Sequence, residues 1–209
     1  LISRGLIVDP RGQRVIATPF QKFFNAYETG DSIPDLAFDV YEKVDGSLII
    51  LYWHDGAWRT ATKGSFSSDQ AKWAQQHLTA YDLRHLDKGT TYLAEAVYPE
   101  NRIVVHYDET GLILLAAYDE AGNEVHYDWI KHVGNQIGWR VAQRHAYTSV
   151  SDLLVKAKTL PPSEEGFVLR FENGLRLKVK GDEYKRIHAL ISRCTPLAMW
   201  EAMAAGDDL

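Results

Sequence analysis

Two dipeptides, Asp55-Gly56 and Asn173-Gly174, sit between strand-like apolar runs and constrain the fold more than any other feature of this chain. A two-residue primed turn needs positive φ at its centre, which Asn, Asp and Gly supply, and it joins antiparallel neighbours. Hairpins are therefore predicted for residues 48–52 with 58–62 and for 166–171 with 175–179. A third, 6–8 with 15–17, closes around Asp9-Pro10-Arg11-Gly12.

The period then changes. Ser67 and Gln70 match a capping box, and Ala71, Ala74, Leu78 and Tyr81 recur at helical spacing, which predicts one helix to about Leu86. Strands are expected at 91–97, 103–105 and 112–118, a turn at Ala121-Gly122-Asn123, an amphipathic stretch at 129–137 and a strand at 139–142. A helix over 151–158 stops at Pro161-Pro162. Two helices close the chain, one from Asp182 or Glu183 to Arg193 and one from Pro196 through Ala205. Hairpins with helices in separate blocks predict an α+β fold, antiparallel sheets flanked by helices. No glycine-rich dinucleotide or Walker-type loop is present, so a nucleotide would have to be held another way.

Composition narrows the classes. With 209 residues, 45% of them hydrophobic, the chain can bury a core as one large or two small domains, and disorder is excluded. Its longest apolar run, from Leu112 to Ala117, is far short of the ~20 residues of a membrane span. The single Cys194 excludes an internal disulfide or a thiolate metal cluster and fits a reducing compartment, so a cytoplasmic location is expected. The chain opens on Leu1 without a basic and apolar leader, and the expectation is that its true start has been removed. A net charge of −5 argues globally against a nucleic-acid partner, yet residues 170–193 hold seven bases against three acids. Residues 28–42, in contrast, hold five acids and no base.

Glu42-Lys43-Val44-Asp45-Gly46-Ser47 is too polar for a core and too long for a two-residue turn. An isolated Lys-x-Asp-Gly is most often a solvated loop, but this one has company. Thr62-Lys63-Gly64-Ser65, Tyr92-Leu93-Ala94-Glu95, Glu164-Glu165-Gly166-Phe167-Val168 and Lys178-Val179-Lys180 follow in that order. The set resembles the covalent nucleotidyltransferase superfamily of polynucleotide ligases and capping enzymes. Within it, Lys-x-Asp-Gly-Ser-Leu, together with the upstream Arg4-Gly5-Leu6 and Pro19-Phe20-Gln21-Lys22-Phe23-Phe24-Asn25, is most similar to the bacteriophage-type ATP-dependent RNA ligase family that seals broken tRNA.

The resemblance covers residues 4 to about 188 and implies a ligase adenylation-domain fold over 1–190, with 191–209 the start of a helical C-terminal domain. It implies that Lys43 is the nucleophile that becomes lysyl-AMP. Asp45 and Glu165 would serve Mg²⁺ or Mn²⁺, and Glu95 the ribose. Arg4, Lys22, Phe24, Glu42, Lys63, Lys178 and Lys180 would line the ATP pocket, with Lys178 and Lys180 also acting in catalysis. The implied partner is RNA with 5′-phosphate and 3′-hydroxyl ends, tRNA among the candidates, and no membrane.

The residue chemistry is compatible with that assignment. A lysine of ordinary pKa, about 10.4, is almost wholly protonated at neutral pH and cannot attack phosphorus, so neighbouring cations or a metal ion must favour the free amine. Lys178 and Lys180 lie two apart in a strand and share a face with Arg176, giving a cationic row that a bland reading treats as a solvated surface. Of Phe23 and Phe24, one is expected in the core and one, Phe24, on adenine. The eight histidines show no zinc-ligand spacing. Two rivals stay open: a GTP-dependent capping-type transferase, and a non-catalytic module that binds RNA ends.

Overall fold

The computed structural model describes residues 4–26, 33–193 and 200. The fold is α+β, as expected, and consists of a small hairpin and two larger sheets. Strands β1 (Ile7–Asp9) and β2 (Arg14–Ala17) form the hairpin. Then come β3 (Phe24–Asn25), β4 (Phe38–Glu42), β5 (Ser47–His54) and β6 (Ala57–Ala61). Helix α1 (Asp69–His77) is followed by β7 (Thr91–Val97), β8 (Gly111–Tyr118), α2 (Tyr127–Ile137) and β9 (Arg144–His145). Helix α3 (Val150–Lys158), β10 (Gly166–Phe171), β11 (Arg176–Lys180) and α4 (Asp182–Arg193) complete the order.

Turn chemistry sets the hairpins: Asp55 and Gly56 have φ of 49° and 75° at the two-residue β5–β6 turn, whereas between β10 and β11 Gly174 alone has positive φ, 83°, and closes a three-residue loop, its amide donating to the Phe171 carbonyl. The four-stranded sheet runs β6-β5-β7-β8 and the five-stranded sheet β3-β11-β10-β4-β9. Among the described strands every pairing is antiparallel except β3 with β11, a short parallel contact of Phe24 and Asn25.

Period-two alternation divides each strand between a core and a shared interior. Val40, Phe167, Leu169, Phe171, Leu177 and Val179 pack with Leu153 and Ala157 of α3. Ile49, Leu51, Tyr92, Ala94 and Leu114 pack with Ala74 of α1 and with Ile130, Val133 and Ile137 of α2. Their neighbours in sequence point the other way, so Tyr41, Val168 and Lys178 of one sheet and Leu48, Glu95 and Leu115 of the other line one cavity.

Four local expectations need correction. The cap of α1 is Ser68, whose side chain accepts from the Ala71 amide, and α1 ends at His77. Leu78–Ala80 and Leu83–His85 form short 3₁₀ turns instead, because Asp82 accepts from the Arg84 amide and offers the backbone a competing cap. No strand forms at 103–105, where the Val104 and Val105 amides donate to the Asp45 carboxylate rather than to a ladder. Residues 139–142 make only an isolated bridge, Val141 with Leu114, and regular pairing begins at β9. The helix expected at 196–205 falls outside the described residues, apart from Trp200.

Leu169 is fully buried at the centre of the larger sheet, whereas Val155 on α3 is 63% exposed. Leu169→Ala is expected to cost about 2–5 kcal/mol of unfolding free energy in urea titrations, and Val155→Ala no more than about 0.5 kcal/mol.

Candidate active site

Lys43 follows directly on β4, and its position is fixed at both ends. Its amide donates to the Gly166 carbonyl at 2.9 Å, which carries the β4–β10 ladder one residue past its last pair. Its ammonium donates to Glu165 Oε2 at 2.8 Å. Lys180 reaches Oε1 of the same carboxylate at 2.9 Å, so Glu165, only 3% exposed, bridges two lysines. Gly166 makes this approach possible: at φ 143°, a Cβ would collide with the Val179 carbonyl oxygen.

The residues expected to converge largely do so. Arg4, Lys22, Glu42, Lys43, Lys63, Glu95 and Lys178 line a single cavity of about 690 Å³. Burial pushes the Lys63 ammonium below its ordinary value, helped by the positive charges of Arg4, Lys43 and Lys178 and opposed by Glu95. Burial pushes the Glu95 carboxyl up to about 8; Glu165 and Asp45 add to the shift, while Lys43 and Lys63 oppose it.

Other assignments are redrawn. Asp45 does not face the cavity as an open metal ligand, because its carboxylate is committed to the fold. Oδ2 accepts from the Val104 and Val105 amides at 2.9 and 2.8 Å, and Oδ1 accepts from the Tyr184 hydroxyl at 2.8 Å. The Asp45 amide donates to the Tyr107 hydroxyl. Phe24 is 37% exposed on the edge strand β3, with the Lys22 ammonium 4.7 Å from its ring centre; Phe23 is the ring that lines the cavity. Glu42 reaches the cavity but pairs with Arg140. Glu165 and Lys180 stand behind Lys43 rather than in the cavity wall, and Arg176 pairs with Glu124, so the expected row is not uniformly cationic.

Sequence reasoning missed Tyr184. It is 1% exposed, and its ring lies 4.9 Å from the Lys180 ammonium. Burial, then the carboxylates of Glu165 and Asp45, raise its pKa and keep the hydroxyl a donor. Its only signal was a position four residues after Lys180, which marks nothing until α4 packs. Tyr41, Tyr127, Glu124, Arg144 and Arg170, which line the rest of the cavity, carried no motif either.

A family model described as RNA ligase matches residues 2–184. The chain belongs to the RNA ligase family. A viral relative of this RNA ligase family member, from Autographa californica nuclear polyhedrosis virus, carries the provisional name bifunctional polynucleotide kinase/RNA ligase. It is 29% identical over 221 residues, covering 91% of this chain and 31% of its own length. An archaeal ATP-dependent RNA ligase superposes with a TM-score of 0.66 at 15% identity, covering 93% of this chain and 58% of that one. Naegleria gruberi RNA ligase with PPi gives 0.63 at 14% identity, covering 90% and 63%. At these identities the structural likeness is one of fold, that of ligase nucleotidyltransferase domains. The chain thus spans about a third of the viral relative.

Tyr184→Phe keeps the ring but leaves an oxygen of the buried Asp45 carboxylate without its hydroxyl donor, and is expected to lower stability by about 1–3 kcal/mol in urea unfolding. Glu95 supplies a pH signature. Its folded pKa lies above the unfolded value, so the native state binds more protons between 4.5 and about 8, and stability falls as pH rises through that window. Glu95→Gln removes this dependence, and its urea midpoint should gain on the wild type as pH increases across the window.

Proposed function

We propose that this chain is the adenylyltransferase part of an ATP-dependent RNA ligase. The observation that carries the proposal is the Lys43 amine, pinned against buried Glu165, which Lys180 holds from its other oxygen, at the wall of a cavity that Arg4, Lys22, Lys63 and Lys178 make receptive to a triphosphate. In the first step, the Lys43 ammonium gives one proton along its hydrogen bond to Glu165. The nitrogen then bonds to the α-phosphorus as the P–O bond to pyrophosphate breaks, and its second proton leaves to solvent. The product is a lysyl-AMP phosphoramidate. An RNA 5′-phosphate oxygen next takes the adenylate as the P–N bond breaks and the lysine regains its protons. A 3′-hydroxyl then bonds to the activated 5′-phosphorus and loses its proton to solvent as the P–O bond to AMP breaks and AMP departs.

The donor set suits a divalent cation, Mg²⁺ or Mn²⁺, that arrives on the triphosphate. Among the described residues no three acidic, histidine or cysteine side chains gather to hold a metal ion. Such cations bind well through one or two carboxylates and substrate phosphates. Glu95, in the cavity wall, is the carboxylate that would hold the cation through its waters, since Glu165 is engaged by Lys43 and Lys180, and the cation would supply neutralisation of the leaving pyrophosphate. Family membership supports an RNA substrate; tRNA ends and a cytoplasmic setting are extensions of that reading. No helix among the described residues is long and apolar enough to cross a membrane.

Incubation with labelled ATP and Mg²⁺ is expected to attach one adenylate to the intact chain, mapped by mass spectrometry to Lys43. Lys43→Ala should remove the label completely; a variant that still labels, or an adenylate on another residue, refutes the assignment.

A further inference from the structure

The lysine chemistry uses only one end of the cavity. Strand register arranges the interior face of the larger sheet in three rows. The first holds Lys43, Gly166 and Lys180; the second Tyr41, Val168 and Lys178; the third Asp39, Arg170 and Arg176. Rows two residues apart are separated by about 6.6–6.8 Å, so the third lies roughly 13 Å from the first. That is about the span from the 5′-phosphorus of an adenosine to the far edge of its base. Val168, with Leu48 and Leu115 of the opposing sheet, makes the middle of this path apolar, which suits the faces of a purine.

At the far end stands Glu124, on the loop between β8 and α2. Its Oε2 accepts from Arg170 Nε at 2.8 Å, and its Oε1 accepts from the Arg176 guanidinium. Arg176 is itself fixed, 4.8 Å above the Phe20 ring, 5.8 Å from that of Phe23 and within reach of the Tyr118 hydroxyl. The Glu124 side chain is 14% exposed and lines the cavity. Burying a carboxylate with two guanidinium groups is poor value for stability alone, since well-packed apolar residues often serve as well or better. It does hold a group that can only accept hydrogen bonds, with lone pairs to spare, rigidly at the cavity end.

We propose that Glu124 is the residue that selects the nucleobase, its carboxylate accepting a hydrogen bond from the exocyclic amine of adenine at the cavity end opposite Lys43. The assignment rests on the adenylyl-transfer function above and adds to it the means of choosing ATP. Hypoxanthine and guanine carry a carbonyl oxygen at that position, which the carboxylate repels. Arg170 and Arg176 act as positioning residues that hold Glu124 in place.

The test compares rates of lysyl-nucleotide formation, by intact-mass spectrometry of the full chain with Mg²⁺, for ATP, ITP and purine riboside triphosphate, which has hydrogen in place of the amine. The wild type should favour ATP over both analogues by at least about tenfold, and Glu124→Gln should lower the ATP-to-ITP ratio by about ten- to a hundredfold. Glu124→Asp keeps an acceptor and should keep the ratio even if both rates fall, which a purely structural role for Glu124 does not predict. Equal use of ATP and ITP by the wild type, or an unchanged ratio in Glu124→Gln, overturns the proposal. If the Gln variant fails to unfold cooperatively in urea, the wild-type comparison of ATP with purine riboside triphosphate decides, and equal rates refute it. No label from any of the three nucleotides refutes adenylyl transfer itself, and this assignment with it.

Discussion

Everything in this site is built around one buried carboxylate. Glu165 accepts from Lys43 on one oxygen and from Lys180 on the other, and it is almost wholly removed from water. Two ammonium groups on one carboxylate leave a net positive charge in a partly desolvated place, a state that an anionic guest relieves. Arg4, Lys22, Lys63 and Lys178 extend the same field along the cavity wall. A chain with a net charge of −5 can thus present a strongly cationic interior, because the sign of a site is set by what the fold gathers. In the proposed reaction, Lys43 loses its charge as Glu165 takes its proton, and Glu165 keeps its contact with Lys180, so the buried carboxyl group is not left without a partner.

The second constraint is mechanical. The loop that carries Lys43 is polar and would be mobile by composition, yet Asp45 ties it down through two amides of residues 104–105 and through the hydroxyl of Tyr184 on α4. Gly46 follows because a Cβ there would run into the Ala96 carbonyl oxygen and crowd Glu95. The Asp-Gly pair therefore acts as an anchor and a close approach, which holds Lys43 beside Glu165 and beside the strand that carries Glu95. Hydrogen bonds to a buried carboxylate are strong and costly to leave unmade, so three of them on one side chain fix the loop effectively.

Much of the fold is legible in local sequence chemistry. Turn dipeptides need particular φ values whatever surrounds them, and alternation announces which strand face is buried, so the hairpins at Asp55-Gly56 and Asn173-Gly174 fell where expected. Segments went wrong where a distant group outcompeted the local pattern. Val104 and Val105 have strand-forming side chains, but their amides are taken by Asp45, some 60 residues away in the chain. The Phe23/Phe24 choice failed for a related reason: both rings fit either role, and only the pairing of β3 with β11 turns Phe24 outward.

By itself, the sequence determined the antiparallel α+β class and most of the charged residues that gather round Lys43, since these depend on local backbone chemistry and on motif order. The tertiary structure alone decided how those residues are employed. It ties the Asp45 carboxylate to the Val104 and Val105 amides and the Tyr184 hydroxyl, leaves Phe24 at the surface and brings Glu124 into the cavity wall. Contacts between residues far apart in the chain are set by sheet register and helix packing, and no local pattern carries that information.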